Sequence, residues 1–239
     1  MNLLENLRIA VRGLAANKLR AALTMLGIVI GVGAVITLLS VGRGVEQFVT
    51  GQFQSIGSNL LFVFEGGQAS EDSNQRPKPL TLADAEALLT DARAIDVLAV
   101  APEWDGFARV EYRRAQLDVR IGGVQPVYAQ VRDWQPAVGD FFSETEVRGA
   151  SRVAVLGKTA YETLFPDGED PIGVTIKIKG TNFKVVGVLE GRGGSTFGDE
   201  DSVILVPIST AQERLFPART RDGQLRVSLI YVQAIREER

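Results

Sequence analysis

Three acidic residues in a row, Asp199, Glu200 and Asp201, close the segment GRGGSTFGDED at residues 191–201. Carboxylates beside glycines have two uses: they ligate a hard cation such as calcium through oxygen, or they stand in water on a loop. The glycines also invite comparison with a phosphate cradle. The segment lacks the G-x-x-x-x-G-K-[ST] pattern, however, and no helical run follows to aim N–H groups at a phosphate. A solvated loop between strands is the simpler reading. A second acidic set, Asp167, Glu169 and Asp170 in DGEDPIG, lacks EF-hand spacing and reads as a turn around Pro171.

The chemistry open to the rest of the chain is narrow. Its 239 residues include no His and no Cys. That removes thiol nucleophiles, disulfides, imidazole bases and His/Cys zinc sites. The spacing of the remaining types singles out no nucleophile–base pair, so the sequence nominates no catalytic residue, no metal ligand and no cofactor.

The elements that would carry any function are more informative. AALTMLGIVIGVGAVITLLSVG, residues 21–42, is free of charge and fenced by Arg20 and Arg43. As a helix it would reach roughly 33 Å, against a hydrocarbon core of about 30 Å. It is longer than the apolar part of an export signal and no small-residue cleavage site follows it. Thr24, Thr37 and Ser40 are too few for the polar stripe of a soluble core helix. The run predicts a retained transmembrane helix. Gly27 and Gly31 sit four apart within it, a spacing that lets another helix approach closely.

Charge sets the expected orientation. Residues 1–20 carry four basic residues against Glu5, a net of +3, whereas Gly44 onward holds 21 basic and 28 acidic residues, a net of −7. A pI near 5.2 thus hides a basic anchor and an acidic domain. Short basic flanks stay cytoplasmic, so the N-terminus is expected inside and the main domain outside. An acidic domain gives no reason to expect nucleic acid. Leu3, Leu4, Leu7, Val11 and Leu14 recur at helical spacing opposite Glu5, Arg8 and Arg12. Residues 1–20 therefore read as an amphipathic helix lying on membrane lipid, with Asn17 as the break before the span.

Beyond Arg43 the helical face continues through Val45, Phe48, Val49 and Ile56, with Gly57 as the stop. Residues 43–57 are expected to extend the span as a stalk, weakened locally by Gly42 and Gly44. Residues 58–239 read as one domain, with a subdivision at about 104–148. Strands are expected at 59–67, at 97–104 with a break at Pro102, at 152–157, 202–207 and 226–234, and hairpins at 107–125 and 174–191. In the second hairpin Val174, Ile176 and Ile178 alternate with Thr175, Lys177 and Lys179. Residues 69–79 form a polar loop; Thr81 with Asp84 caps one helix and Ser209 with Gln212 another. Strands outnumber helices without regular alternation, which makes the class α+β.

The residues themselves resemble a known family. NKLRAALTMLGIVIGVGAVI is similar to the first span of MacB-type ABC-transporter permeases, which share an FtsX-like membrane architecture. The likeness continues through SIGSNLLFVFEGG and VRDWQPAVGDFF. It is densest in RVAVLGKTAYETLFPDGEDPIGVTIKIKGTNFKVVGVLEGRGG, and runs on through DSVILVPISTAQERL to LRVSLIYVQA. The resemblance implies an inner-membrane subunit with a periplasmic core domain, working as a homodimer, driven by a cytoplasmic ATPase and joined by a periplasmic adaptor. The sequence contains no Walker motif and ends at IREER without the family's further spans. It is therefore expected to be the N-terminal portion of a permease, with its ATPase on a separate chain. A membrane-tethered binding or scaffold module is the alternative.

Overall fold

The computed structural model describes residues 8–9, 16–56, 59–65, 78–91, 96–195, 198–217 and 219–235. Helix α1 runs unbroken over Lys18–Ile56, 39 residues, directly after a turn at Asn17. Gly42 and Gly44 lie within it and do not interrupt it. Most of the helix expected over 1–20 falls outside the described residues. Within α1, Lys18–Val45 has a mean hydropathy of 2.5 and is not buried, making it long and apolar enough to cross a membrane. Two of its hydroxyls are satisfied within the helix: Thr24 Oγ1 donates to Arg20 O and Thr37 Oγ1 to Gly33 O, both at 2.8 Å. Such bonds to the preceding turn hide a polar atom from lipid.

The chain divides into two compact units, Met1–Gln52 and Phe53–Arg239. The second begins with β1 (Leu60–Phe64), α2 (Leu82–Thr90), β2 (Val97–Tyr112) and β3 (Ala115–Val124). It continues with α3 (Val127–Val131), β4 (Pro136–Gly139), α4 (Glu144–Arg148), β5 (Val153–Leu156) and α5 (Lys158–Leu164). Then come β6 (Thr175–Ile178), β7 (Thr181–Leu189), the small pair β8 (Gly194–Ser195) and β9 (Gly198–Asp199), and β10 (Val203–Pro207). Helix α6 (Ile208–Thr210) runs into a π-helical turn, Ala211–Leu215, and β11 (Leu229–Ala234) closes the order.

Six of these strands close on themselves. β2 pairs antiparallel with β3, β3 parallel with β10, β10 antiparallel with β5, β5 parallel with β7, and β7 antiparallel with β6. β6 then returns to β2 through Val110↔Ile178 and Glu111↔Lys177, completing a barrel. Val110, Ile121, Leu156, Ile176, Ile178, Phe183, Val185 and Ile204 are wholly buried, packed together with Leu164, Phe165 and Leu215. Each such side chain contributes about 1.5–3 kcal/mol from leaving water. A second core packs the other face of the barrel wall, Val155, Val203 and Leu205, with Tyr128, Trp134, Phe142 and Val147. It extends to Val100, Ile230 and Val232 beside Ala85 of α2.

Where the described residues cover them, the expected elements hold with four corrections; Gly57 and nearly all of the polar loop at 69–79 lie outside the described residues. Pro102 does not break a strand: β2 is continuous from 97 to 112. Pro102 lies opposite Ile230 of β11, while pairing with β3 starts only at Trp104. The strand is one-sided there, and an edge tolerates a residue without an N–H. Ser209 and Gln212 do not cap a helix; α6 starts at Ile208 without a side-chain cap. Ser209 Oγ instead donates to Val147 O, and Gln212 Nε2 to Arg226 O at 2.7 Å. Lys179 is not a strand residue but the first of a two-residue turn with Gly180 (φ +49° and +78°). Asp201 is not solvated, as described below. The Thr81–Asp84 cap is present in both directions, and the turn at 167–173 forms with Ile172 N donating to Asp170 Oδ1.

Candidate functional site

Strand β1 begins four residues after α1 ends, and β11 lies antiparallel beside it from Leu60↔Gln233 to Phe64↔Leu229. The first strand of the domain and its last described strand are therefore neighbours, and their outer ends coincide. Ala234 N donates to Asn59 O at 2.9 Å, Asn59 Nδ2 donates to Ala234 O at 3.3 Å, and Ile235 N donates to Asp96 O at 2.8 Å. β1 forms one edge of the sheet and leaves Leu61 and Phe64 exposed.

Charged groups lie just behind this strand pair. Glu103, 1% exposed, accepts from Arg120 Nη1 at 2.5 Å and from Tyr231 Oη at 2.8 Å. Burial opposes the Arg120 cation, but Glu103 and the phenols nearby outweigh it and raise its pKa. The Tyr231 ring meets Phe62 of β1 at 5.4 Å and Tyr128 of α3 at 5.3 Å, both edge-on. Burial pushes the Tyr128 phenol up to about 12, with the Glu103 charge adding to it. Arg132 lies 5.4 Å over the Tyr231 ring and donates to Glu200 Oε2 at 2.9 Å. A row of contacts thus runs from β1 through β11 and α3 to the glycine-rich segment.

That segment is tied down at its base. Asp201, 4% exposed, accepts from the backbone N–H groups of Arg192 and Gly193 at 2.8 and 2.7 Å. Glu200 pairs with Arg132, and the Arg192 guanidinium lies over Trp134 at 5.3 Å. Asp199 Oδ1 accepts from Asp201 N at 3.0 Å, so all three adjacent carboxylates are engaged by protein donors. Among the described residues, no group of three or more His, Cys, Asp or Glu is placed to hold a metal ion.

Of the residues singled out by sequence, Gly27 and Gly31 lie on α1 with no atom of the described residues within 4 Å of an added Cβ. Val45 is exposed on the same helix. Phe48, Val49 and Ile56 belong to the helix backbone. Sequence reasoning passed over Asn59, Glu103, Arg120, Tyr128 and Arg132. An acid in the apolar run VLAVAPEW was the one visible signal, since a charge at a core-facing position demands a partner.

The comparisons fit this geometry. A family model described as the MacB-like periplasmic core domain matches residues 21–238. The macrolide export ATP-binding/permease protein MacB of Rhodospirillum rubrum is 42% identical over 218 residues, covering 90% of this chain and 33% of that protein. The pyoverdine export ATP-binding/permease protein PvdT of Pseudomonas syringae pv. tomato is 38% identical over 217 residues, covering 90% and 32%. This chain spans about a third of the length of these curated relatives. The crystal structure of the periplasmic region of MacB from Actinobacillus actinomycetemcomitans shares the fold at a TM-score of 0.59, with 21% identity over 76% of this chain and 77% of that one. An apolar helix followed by a mixed helix-and-strand domain, matched by one family model almost end to end, places this chain in the MacB-like periplasmic core domain family.

Proposed function

We propose that this chain is the permease subunit, or its N-terminal portion, of a MacB-type ABC exporter. It would transmit ATP-driven movement across the membrane to a periplasmic domain. The observation that carries the reading is the pairing of β1 with β11. A domain inserted between two spans needs its chain to leave where it arrives, and Asn59 and Ala234 meet there. Residues 21–42 then cross the inner membrane, 43–57 form the stalk, 58–239 stand in the periplasm, and 1–20 lie on cytoplasmic lipid. The proposed homodimer would pack through Gly27 and Gly31, where α1 leaves room for a second helix. The sequence has no phosphate loop, so ATP hydrolysis is assigned to a partner ATPase subunit. The adaptor is assigned to the periplasmic side.

The stalk provides the test. At about 1.5 Å per residue a helix over 21–56 reaches roughly 54 Å, well past the hydrocarbon. Inserting Gly-Gly-Ser-Gly between Gln47 and Phe48 in the complete permease makes a flexible joint there. The variant is expected to reach the membrane, keep the partner's basal ATP hydrolysis and lose transport. Undiminished transport leaves the stalk a passive tether and removes the mechanical reading. For orientation, single cysteines at Asn2 and Ser73 are exposed to an impermeant thiol reagent on spheroplasts. Ser73→Cys is expected to label and Asn2→Cys is not.

A further inference from the structure

The strand pair has a mechanical weakness at one end. β1 and β11 are antiparallel, and the ends facing the rest of the chain, Asn59 and Ala234, lie together. A load that separates those two ends opens the ladder one hydrogen bond at a time, beginning at the fork, because the bonds further in carry none until the first ones break. The inner neighbour, β2, gives little support there. The β11–β2 register shifts between Gln233 and Ala234, leaving Leu98 as the extra residue, and Leu98 is half exposed. Gln233 Oε1 is buried nearby and has no hydrogen-bond partner among the described residues. At this weakest point the chain carries an added bond. The Asn59 side chain donates to Ala234 O while the Asn59 carbonyl accepts from Ala234 N. One residue thereby holds both backbone groups of its opposite number, and Ile235 N is held by Asp96 O one step further out.

We propose that Asn59 is a clasp on the β1–β11 fork, keeping the strands that bring the chain in and take it out closed under load. Resting on the permease reading, the clasp makes the two adjoining spans move the domain as one body, where an open fork would let them splay without shifting it. The clasp is local, so it can be loosened without touching the barrel or the Glu103 network.

Two measurements test it. In the purified chain, Asn59→Leu keeps the side-chain size and removes the Nδ2 donor. Hydrogen exchange at the amide of Ala234, which faces β1, is expected to quicken by about five-fold, the factor for one ordinary hydrogen bond, with Ile230 unchanged. Unchanged exchange at Ala234 overturns the clasp whatever the chain transports. In the complete permease, free of other cysteines, Asn59→Leu is expected to keep basal ATP hydrolysis and lower transport per ATP several-fold. A disulfide between Leu61→Cys and Val232→Cys, opposite one another in the register, is expected to restore transport when oxidised and not when reduced. Loss of transport on oxidation alone would mean that the fork must open, which also overturns the clasp. A wild-type permease without ATP-coupled transport removes the permease reading, while the exchange result still decides the clasp.

Discussion

At the residue scale, the largest energies outside the apolar cores belong to the buried charge. Glu103 is held by Arg120 and Tyr231. Removing one partner of a buried pair leaves the other charge uncompensated. Arg120 keeps a third of its side chain in water, so Glu103→Gln is expected to cost about 2–4 kcal/mol rather than the full penalty, read from urea unfolding. Tyr128 offers the opposite case. Its hydroxyl is buried and, among the described residues, makes no hydrogen bond within ordinary geometry, so Tyr128→Phe is expected to be neutral or to stabilise by up to about 1 kcal/mol. The same phenol sets an alkaline limit. Its folded pKa is about 12, against an unfolded value of about 10. Below pH 10 both states keep the proton and stability is complete. Between 10 and 12 the unfolded chain releases it first, so stability falls as pH rises. The urea midpoint is expected to drop more steeply over that range in the wild type than in Tyr128→Phe.

At the element scale, barrel closure depends on a short hairpin. β6 reaches β2 only because the Lys179–Gly180 turn holds it against β7, and both turn residues have positive φ. Two consecutive residues of that kind make the tight turn whose twist matches the strands. An added Cβ at Gly180 would meet no atom of the described residues within 4 Å, so the effect of Gly180→Ala is conformational. It is expected to cost about 1 kcal/mol in thermal or urea unfolding, since L-residues resist this backbone region. This hairpin was readable from TIKIKGTNFKVV by alternation, but the same alternation carried Lys179 into the strand and missed the turn that it opens with Gly180. Pro102 was misread for a related reason. A proline argues against a strand only where its missing N–H is needed, and that depends on which neighbour lies on that side.

At the scale of the whole molecule, the second unit carries its own cores. Residues 58–239 expressed without α1 are expected to fold in plain buffer and unfold in one cooperative urea transition. A sloping, non-cooperative transition would show that the domain needs its helix. The purified full chain is expected to hydrolyse no ATP, and turnover abolished by a point mutation in it would refute that. The sequence by itself determined the apolar helix, because every residue of 21–42 contributes to transfer from water regardless of its neighbours. It also determined most strands, the Thr81 cap and the α+β class, because alternation and capping are local. Only the tertiary structure decided that six strands close into a barrel and that β11 returns to β1. Alternation says which residues share a face but never which strand lies beside them. The engagement of Glu103, Glu200 and Asp201 was invisible for the same reason. Each finds donors 8 to 128 positions away along the chain, and a charge run looks alike in sequence whether water or an arginine faces it.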